Sequence, residues 1–188
     1  IKNAAKIVIF CIVFLFLLNR IYDIFSWKDT AGDYYSSMDS FYDLEKDMVD
    51  VLFLGSSHVY CSVIPAQLWE DYGMASFNMA ISGQDLASSY YSFKEALKTQ
   101  DLDVVCVDLY GCVFHGYLIE GNLYRNTLSR KLSFTSIEAV NSIVETDNKS
   151  DFILKWPIIH TRYRELKQQD FMGERPAYLG YNCEFNVS

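Results

Sequence analysis

The chain has 188 residues, enough for one domain with a sizeable core and an appendage. Hydrophobic residues make up 51%, which excludes a disordered chain. The 24 acidic against 16 basic side chains leave a net charge of −8, which argues against a nucleic-acid partner and otherwise signals only a well-solvated surface.

The first predicted element is the apolar run from Ile7 to Leu18. Taken alone it is shorter than the roughly 20 residues of a membrane span and nearer a signal-peptide core. Ala4, Ala5 and a snorkelling Lys6 extend it on one side, and Ile21, Ile24 and Phe25 on the other. No convincing small-x-small cleavage site follows Leu18, so residues 1–27 read as an uncleaved anchor in preference to a cleaved signal or a buried core helix. Lys2 and Lys6 precede the run, which predicts a cytoplasmic N-terminus and an extracytoplasmic remainder, with Tyr22 and Trp27 at the outer interface. Residues 28–48 are polar and aromatic, broken by Gly32-Asp33 and Ser36-Ser37, and read as a juxtamembrane linker.

Strand periodicity begins at Val49–Leu54. Pro65 suits a first helical turn, so a short helix is predicted over Ala66–Tyr72, ended by Gly73. A second strand is predicted at Ala75–Met79, followed by the loop Ala80-Ile-Ser-Gly-Gln84 and an N-cap at Asp85. The helix after it places Leu86, Tyr90, Phe93 and Leu97 on one face, with Lys94, Glu95 and Lys98 elsewhere on the surface. Asp103–Leu109 is apolar enough for a central, buried, parallel third strand, which would bury Cys106. The order β-α-β-α-β with short connections and right-handed crossovers gives a parallel α/β layer. Gly55, Ser57, Gly83 and the region of Asp108–Gly111 then converge on its carboxyl edge, where ligands of open α/β sheets bind. Residues 112–181 lack strand alternation and read as a mostly helical excursion. The chain opens without Met and closes on Cys183–Ser188 with neither a helix cap nor a polar tail, so it is expected to be a piece of a longer protein.

The five cysteines show no C-x-x-C or His/Cys spacing, and no metal or cofactor is implied. Free or buried thiols are the expectation over a disulfide among Cys61, Cys112 and Cys183. Asn148-Lys-Ser150 and Asn186-Val-Ser188 match the glycosylation pattern, which is common by chance.

The chemistry rests on Val51-Leu-Phe-Leu-Gly-Ser-Ser-His58, an apolar strand running into a Gly-Ser-Ser turn. A serine there needs a base to take its proton and N–H donors for the developing oxyanion. Ser57 supplies the hydroxyl and its own N–H, and Gly83 a second N–H. No good base is in view. His58 adjoins Ser57 in sequence and should diverge from it, His115 lies in the loop after the third strand, and His160 lies in the helical excursion. The α/β-hydrolase elbow is set aside because position 59 is Val, and neither a P-loop nor G-x-G-x-x-G occurs.

Three blocks together, Asp50–His58, Phe77-Asn-Met-Ala-Ile-Ser-Gly-Gln84 and Val104-Val-Cys-Val-Asp-Leu-Tyr110, resemble the SGNH (GDSL-type) hydrolases, in particular their membrane-anchored, cell-surface branch. The resemblance covers about residues 49–111, with a weaker likeness around Trp156–Phe171. It implies a three-layer, flavodoxin-like parallel-sheet domain with Ser57 as nucleophile and Ser57 and Gly83 as oxyanion donors. Asn78, Gln84 and Asp108 would line the site, Asn78 fixing its loop through backbone hydrogen bonds. The partners implied are the membrane and a cell-surface polysaccharide or wall polymer. The activity implied is ester hydrolysis or O-acyl transfer, and the alternative is a non-catalytic member that binds or helps assemble the polymer. Asp108-Leu-Tyr-Gly111 stands where the family carries Gly-x-Asn, and its Asp-x-x-His block does not occur in these residues. The expectation is that this block lies downstream.

Overall fold

The computed structural model describes residues 2–26, 37–113, 120–172 and 179–181. Helix α1 (Lys2–Phe25) is about 36 Å long at 1.5 Å per residue. From Asn3 to Phe25 it is long and apolar enough to cross a membrane. Its large apolar side chains between Ile7 and Leu18 are exposed, an arrangement that water penalises and hydrocarbon does not. Its last turn meets the helical cluster, where Tyr22 and Phe25 pack.

Helix α2 (Met38–Tyr42) leads into β1 (Val51–Leu54). Residues 37–48, read from the sequence as the end of a linker, contribute to the sheet's core: Met38 and Phe41 are buried, and Phe41 meets Phe77 edge-on at 5.3 Å between ring centroids. After β1 come α3 (Ser57–Ser62), α4 (Pro65–Tyr72), β2 (Ser76–Asn78), α5 (Leu86–Ala96) and β3 (Val104–Val107). The three strands are parallel in the order β2-β1-β3, with Val51 paired to both Ser76 and Val104. Alternation along β1 serves two layers. Leu52 and Leu54 join the core beneath α2 and α5, and Phe53 joins Val59, Tyr60 and Ala80 on α3's side. Local signals set the boundaries: Pro65 opens α4, Gly73 closes it, and the Asp85 carboxylate accepts from Ser88 N–H at 2.7 Å to cap α5.

Two expectations about burial are corrected. Among the described residues β3 is an edge strand rather than the central one, so Val104, Cys106 and Val107 are exposed. Its apolar run has a partner on one side only. Helix α5 also buries a different face. Of the predicted face, Phe93 packs against the core while Leu86, Tyr90 and Leu97 are exposed, and Leu86 and Tyr90 line an open apolar groove of about 730 Å³ with Phe93, Val105 and Val107. The buried face is Ser88, Ser89, Ser92, Glu95 and Ala96. Serines let the neighbouring helices come close, and Glu95 is held by Ser133 Oγ at 3.0 Å, Lys98 Nζ at 2.6 Å and Tyr42 Oη at 3.3 Å.

Beyond β3 the described chain is helical: α6 (Tyr110–Val113), α7 (Glu120–Leu128), α8 (Phe134–Ile143), α9 (Lys149–Leu154), α10 (Trp156–Ile159), a 3-10 turn (His160–Arg164) and α11 (Gln168–Met172). Leu128, Val140, Val144, Phe152 and Ile159 form its core. The Ser133 hydroxyl accepts from Ser136 N–H and the Ser136 hydroxyl from Ser133 N–H, a capping box that starts α8.

Lys155 is buried in this layer, its Nζ donating to the carbonyls of Leu128 and Arg130. Burial pulls its pKa down to about 8, with the nearby Arg130 charge acting in the same direction and Asp39 opposing. A neutral amine keeps two N–H donors for two carbonyls, so the bonds survive deprotonation. Below pH 8 both folded and unfolded states hold the proton. Above it the unfolded chain binds more protons, so stability rises with pH until the unfolded lysine titrates near its ordinary value of 10.5. The rise is expected to approach roughly 3 kcal/mol. Tyr42, whose pKa is raised by burial and by Glu95, opposes it above about pH 10. Urea denaturation between pH 7 and 10 reads this limb, and Lys155→Met is expected to flatten it.

Candidate functional site

The carboxyl ends of the three strands carry Asn78 and lead into Ser56, Ser57 and Asp108. β1 ends in a turn at Gly55, whose φ of +155° is a conformation that side-chain-bearing residues rarely adopt. A Cβ there would lie 2.6 Å from both Asp108 Cβ and Val59 Cγ2. Gly55 thus lets the turn pass directly against the end of β3. Ser56 follows in an extended conformation, and Ser57 is the first residue of α3, half-buried at its start.

Asp108 continues the β1–β3 ladder through its N–H, which donates to Leu54 O at 2.8 Å. Its Oδ1 accepts from Tyr110 N–H at 2.9 Å. Its Oδ2 is buried without a hydrogen bond and lies 3.8 Å from His58 Nδ1. The His58 ring also packs edge-on against Tyr110, 3.9 Å between centroids. His58 is therefore oriented by Asp108. Ser57 and His58 are consecutive residues of α3, and consecutive helical residues project about 100° apart.

At the end of β2, Asn78 is fully buried. Its side-chain amide donates to Val63 O at 2.7 Å, and its backbone N–H donates to Leu179 O at 3.0 Å. Ile81 N–H donates to Gly55 O at 3.1 Å, tying the second loop to the Gly-Ser-Ser turn. Gly83 then adopts a left-handed φ of +64°, and Gln84 N–H closes the turn on Ile81 O at 2.9 Å. Gln84 is buried, its amide donating to Ser89 Oγ at 3.0 Å.

One site residue was missed by sequence reasoning. Asn122, on α7, lies where a Cβ at position 83 would stand, so its side chain covers Gly83. Its Oδ1 accepts from Arg125 at 3.2 Å, which directs the amide nitrogen toward the glycine. One turn later Asn126 donates to Ser82 O at 3.2 Å and to Asn122 O at 2.8 Å. The signal available was the asparagine pair at i and i+4, a polar stripe on one face of a helix.

Ser56 Oγ, Asn78 Oδ1, Gln84 Oε1 and Asp108 Oδ2 are buried and make no hydrogen bond. All four belong to residues at or just beyond the carboxyl ends of strands.

The remaining histidines do not join this cluster. His160 is exposed in the helical layer with Nδ1 3.0 Å from Trp156 O, and His115 lies outside the described residues. Among the described residues Cys11, Cys61, Cys106 and Cys112 form no disulfide, while Cys183 and Asn186 lie outside the described residues. Among the described residues no three His, Cys, Asp or Glu side chains gather as a metal ion would need. No protein-family model, curated protein or solved structure matches the chain.

Proposed function

We propose that this chain is a membrane-tethered, extracytoplasmic serine esterase or O-acyltransferase of the SGNH type, acting on acyl groups of a cell-surface polysaccharide. The observation that carries the reading is the convergence at one sheet edge. Ser57 at the start of α3, Gly83 on the loop tied to Gly55, and Asp108 at the end of β3 belong to three neighbouring strand ends. In this reading Ser57 Oγ attacks the acyl carbonyl, and the N–H groups of Ser57 and Gly83 stabilise the oxyanion. The Asn122 amide, held against Gly83, adds a third donor where the expected Gly-x-Asn is missing. Asn78 and Gln84 fix the second loop. The apolar α1 supports the tether, and a polymer assembled at a membrane suits a tethered enzyme.

His58 lies beside Asp108, and among the described residues no side chain is assigned to take the Ser57 proton. That observation favours a second reading, in which the same fold binds or helps assemble the polymer without turnover. Labelling of the protein expressed from its complete gene with a fluorophosphonate, before and after Ser57→Ala, separates the two. The enzyme reading expects labelling and ester hydrolysis to fall by roughly 10³-fold or more in the variant. Labelling that survives Ser57→Ala overturns Ser57 as nucleophile, and wild-type protein that never labels supports the binding reading.

A further inference from the structure

Helix α1 does not hang from the domain by a free hinge. Arg162, buried in the 3-10 turn, donates through one guanidinium nitrogen to Phe25 O at 2.8 Å and Ser26 O at 2.6 Å. Its other terminal nitrogen donates to Asp170 Oδ1 at 2.9 Å, and Asp170 Oδ2 accepts from Lys167 N–H at 2.7 Å. Carbonyls of a helix's last turn have no partners within the helix, and a cation there also meets the negative end of the helix dipole. Arg162 satisfies both needs from a position 137 residues away. Trp156 adds a ring contact to Phe25 at 5.6 Å between centroids, and α1 also packs against α11.

This docking fixes how deep the helical layer sits if α1 spans a bilayer. Apolar cover is needed from Ala4 to about Ile21, a rise of roughly 27 Å, close to the thickness of a hydrocarbon core. Arg20 and Asp23, paired at 3.8 Å, mark the exit from it. The next turn, Tyr22–Ser26, rises about 6 Å and ends within the headgroup layer. The three elements that touch that turn expose large aromatic side chains: Trp156 at 40%, Tyr163 at 57% and Phe171 at 59%. The Arg164 guanidinium lies 5.1 Å from the centre of the Tyr163 ring. Amphipathic rings and arginines are the groups that favour the boundary between headgroups and acyl chains.

We propose that Trp156, Tyr163 and Phe171, with Arg164, form a lipid-binding collar around the carboxyl end of α1, seated in the headgroup layer of the bilayer that α1 crosses. The collar rests on the membrane-spanning reading of α1, and it makes the helical layer the membrane-facing side of the domain. Its orientation is held by the Arg162 bonds and does not depend on tether length.

The test uses the whole chain reconstituted into phosphatidylcholine–phosphatidylglycerol vesicles, with or without bromine high on the acyl chains. Two single-tryptophan proteins are compared, one keeping Trp156 (Trp27→Phe, Trp69→Phe) and one keeping Trp69 (Trp27→Phe, Trp156→Phe). Trp69 is exposed on α4, which packs on β2, and serves as the reference. Bromine is expected to lower Trp156 emission about twofold and to leave Trp69 emission unchanged. Protein that floats with the vesicles but shows equal quenching at both positions overturns the collar and leaves the span standing. Protein that does not float overturns the span, and the collar with it.

Discussion

Arg130→Ala is expected to destabilise the protein by about 3–5 kcal/mol, the range for breaking a buried charged network and leaving a large cavity. The side chain is fully buried, and it bonds three places at once: Asn126 O at 3.0 Å, Ser88 O at 3.0 Å and Ser92 Oγ at 3.0 Å. It is the clasp between the serine face of α5 and the end of α7. Burial lowers its pKa, while Tyr42, Glu95 and Asp85 act in the opposite direction, so the guanidinium is retained by its surroundings rather than by solvent. Removing it leaves Glu95 with one fewer positive neighbour and opens a gap between two helices. Arg130→Met keeps most of the volume and has no charge to desolvate, so it is expected to cost less than the alanine variant. Urea denaturation of the two variants in detergent measures the difference. An alanine variant within 1 kcal/mol of wild type, or a methionine variant worse than alanine, contradicts the clasp.

The Arg130 clasp also marks where sequence reading stops. β1, α4, β2, the Asp85 cap and α5 lie within about two residues of their expected positions, because each is bounded by a local device: Gly55, Pro65, Gly73, Asp85. Which face of α5 is buried depends on a partner 42 residues away in sequence. A stripe of Leu86, Tyr90 and Leu97 is more apolar than one of Ser88, Ser92 and Glu95, and periodicity alone selects it for the core. The tertiary pairing of Arg130 with Ser88 and Ser92, and of Ser133 and Lys98 with Glu95, reverses the choice. Among the described residues β3 pairs with β1 alone, and its neighbours are not readable from composition. A short apolar run has the same composition at the centre of a parallel sheet as at an edge, and only the pairing order tells them apart. At the site, the Gly-Ser-Ser turn and Gly83 were legible because their backbone needs are local. Asn122 reaches Gly83 from a helix beyond the sheet and belongs to no spacing within the three blocks. The His58–Asp108 approach joins α3 to the end of β3 and depends on the β1–β3 register, which motif spacing does not encode.

Gly55→Ala is expected to be strongly damaging at the candidate site, with a cost on the order of 4 kcal/mol. Two penalties combine. The backbone at φ +155° disfavours any side chain, and the added methyl would press on Asp108 Cβ and Val59 Cγ2 at 2.6 Å. Neither neighbour can retreat freely. Asp108 is held by the ladder to Leu54 and by its bond to Tyr110, while Val59 is buried on α3 among Tyr60 and Ala80. Relief therefore requires α3 to move away from β3, and Ser57 moves with it. Gly83→Ala makes an instructive comparison, since the atoms it displaces belong to the Asn122 side chain rather than to a strand end. A flexible amide can swing aside, so Gly83→Ala is expected to fold more stably than Gly55→Ala while displacing the Asn122 amide from Gly83. If Gly55→Ala unfolds at the wild-type urea midpoint, the close passage of the turn against β3 does not hold, and the placement of Ser57 that depends on it falls too.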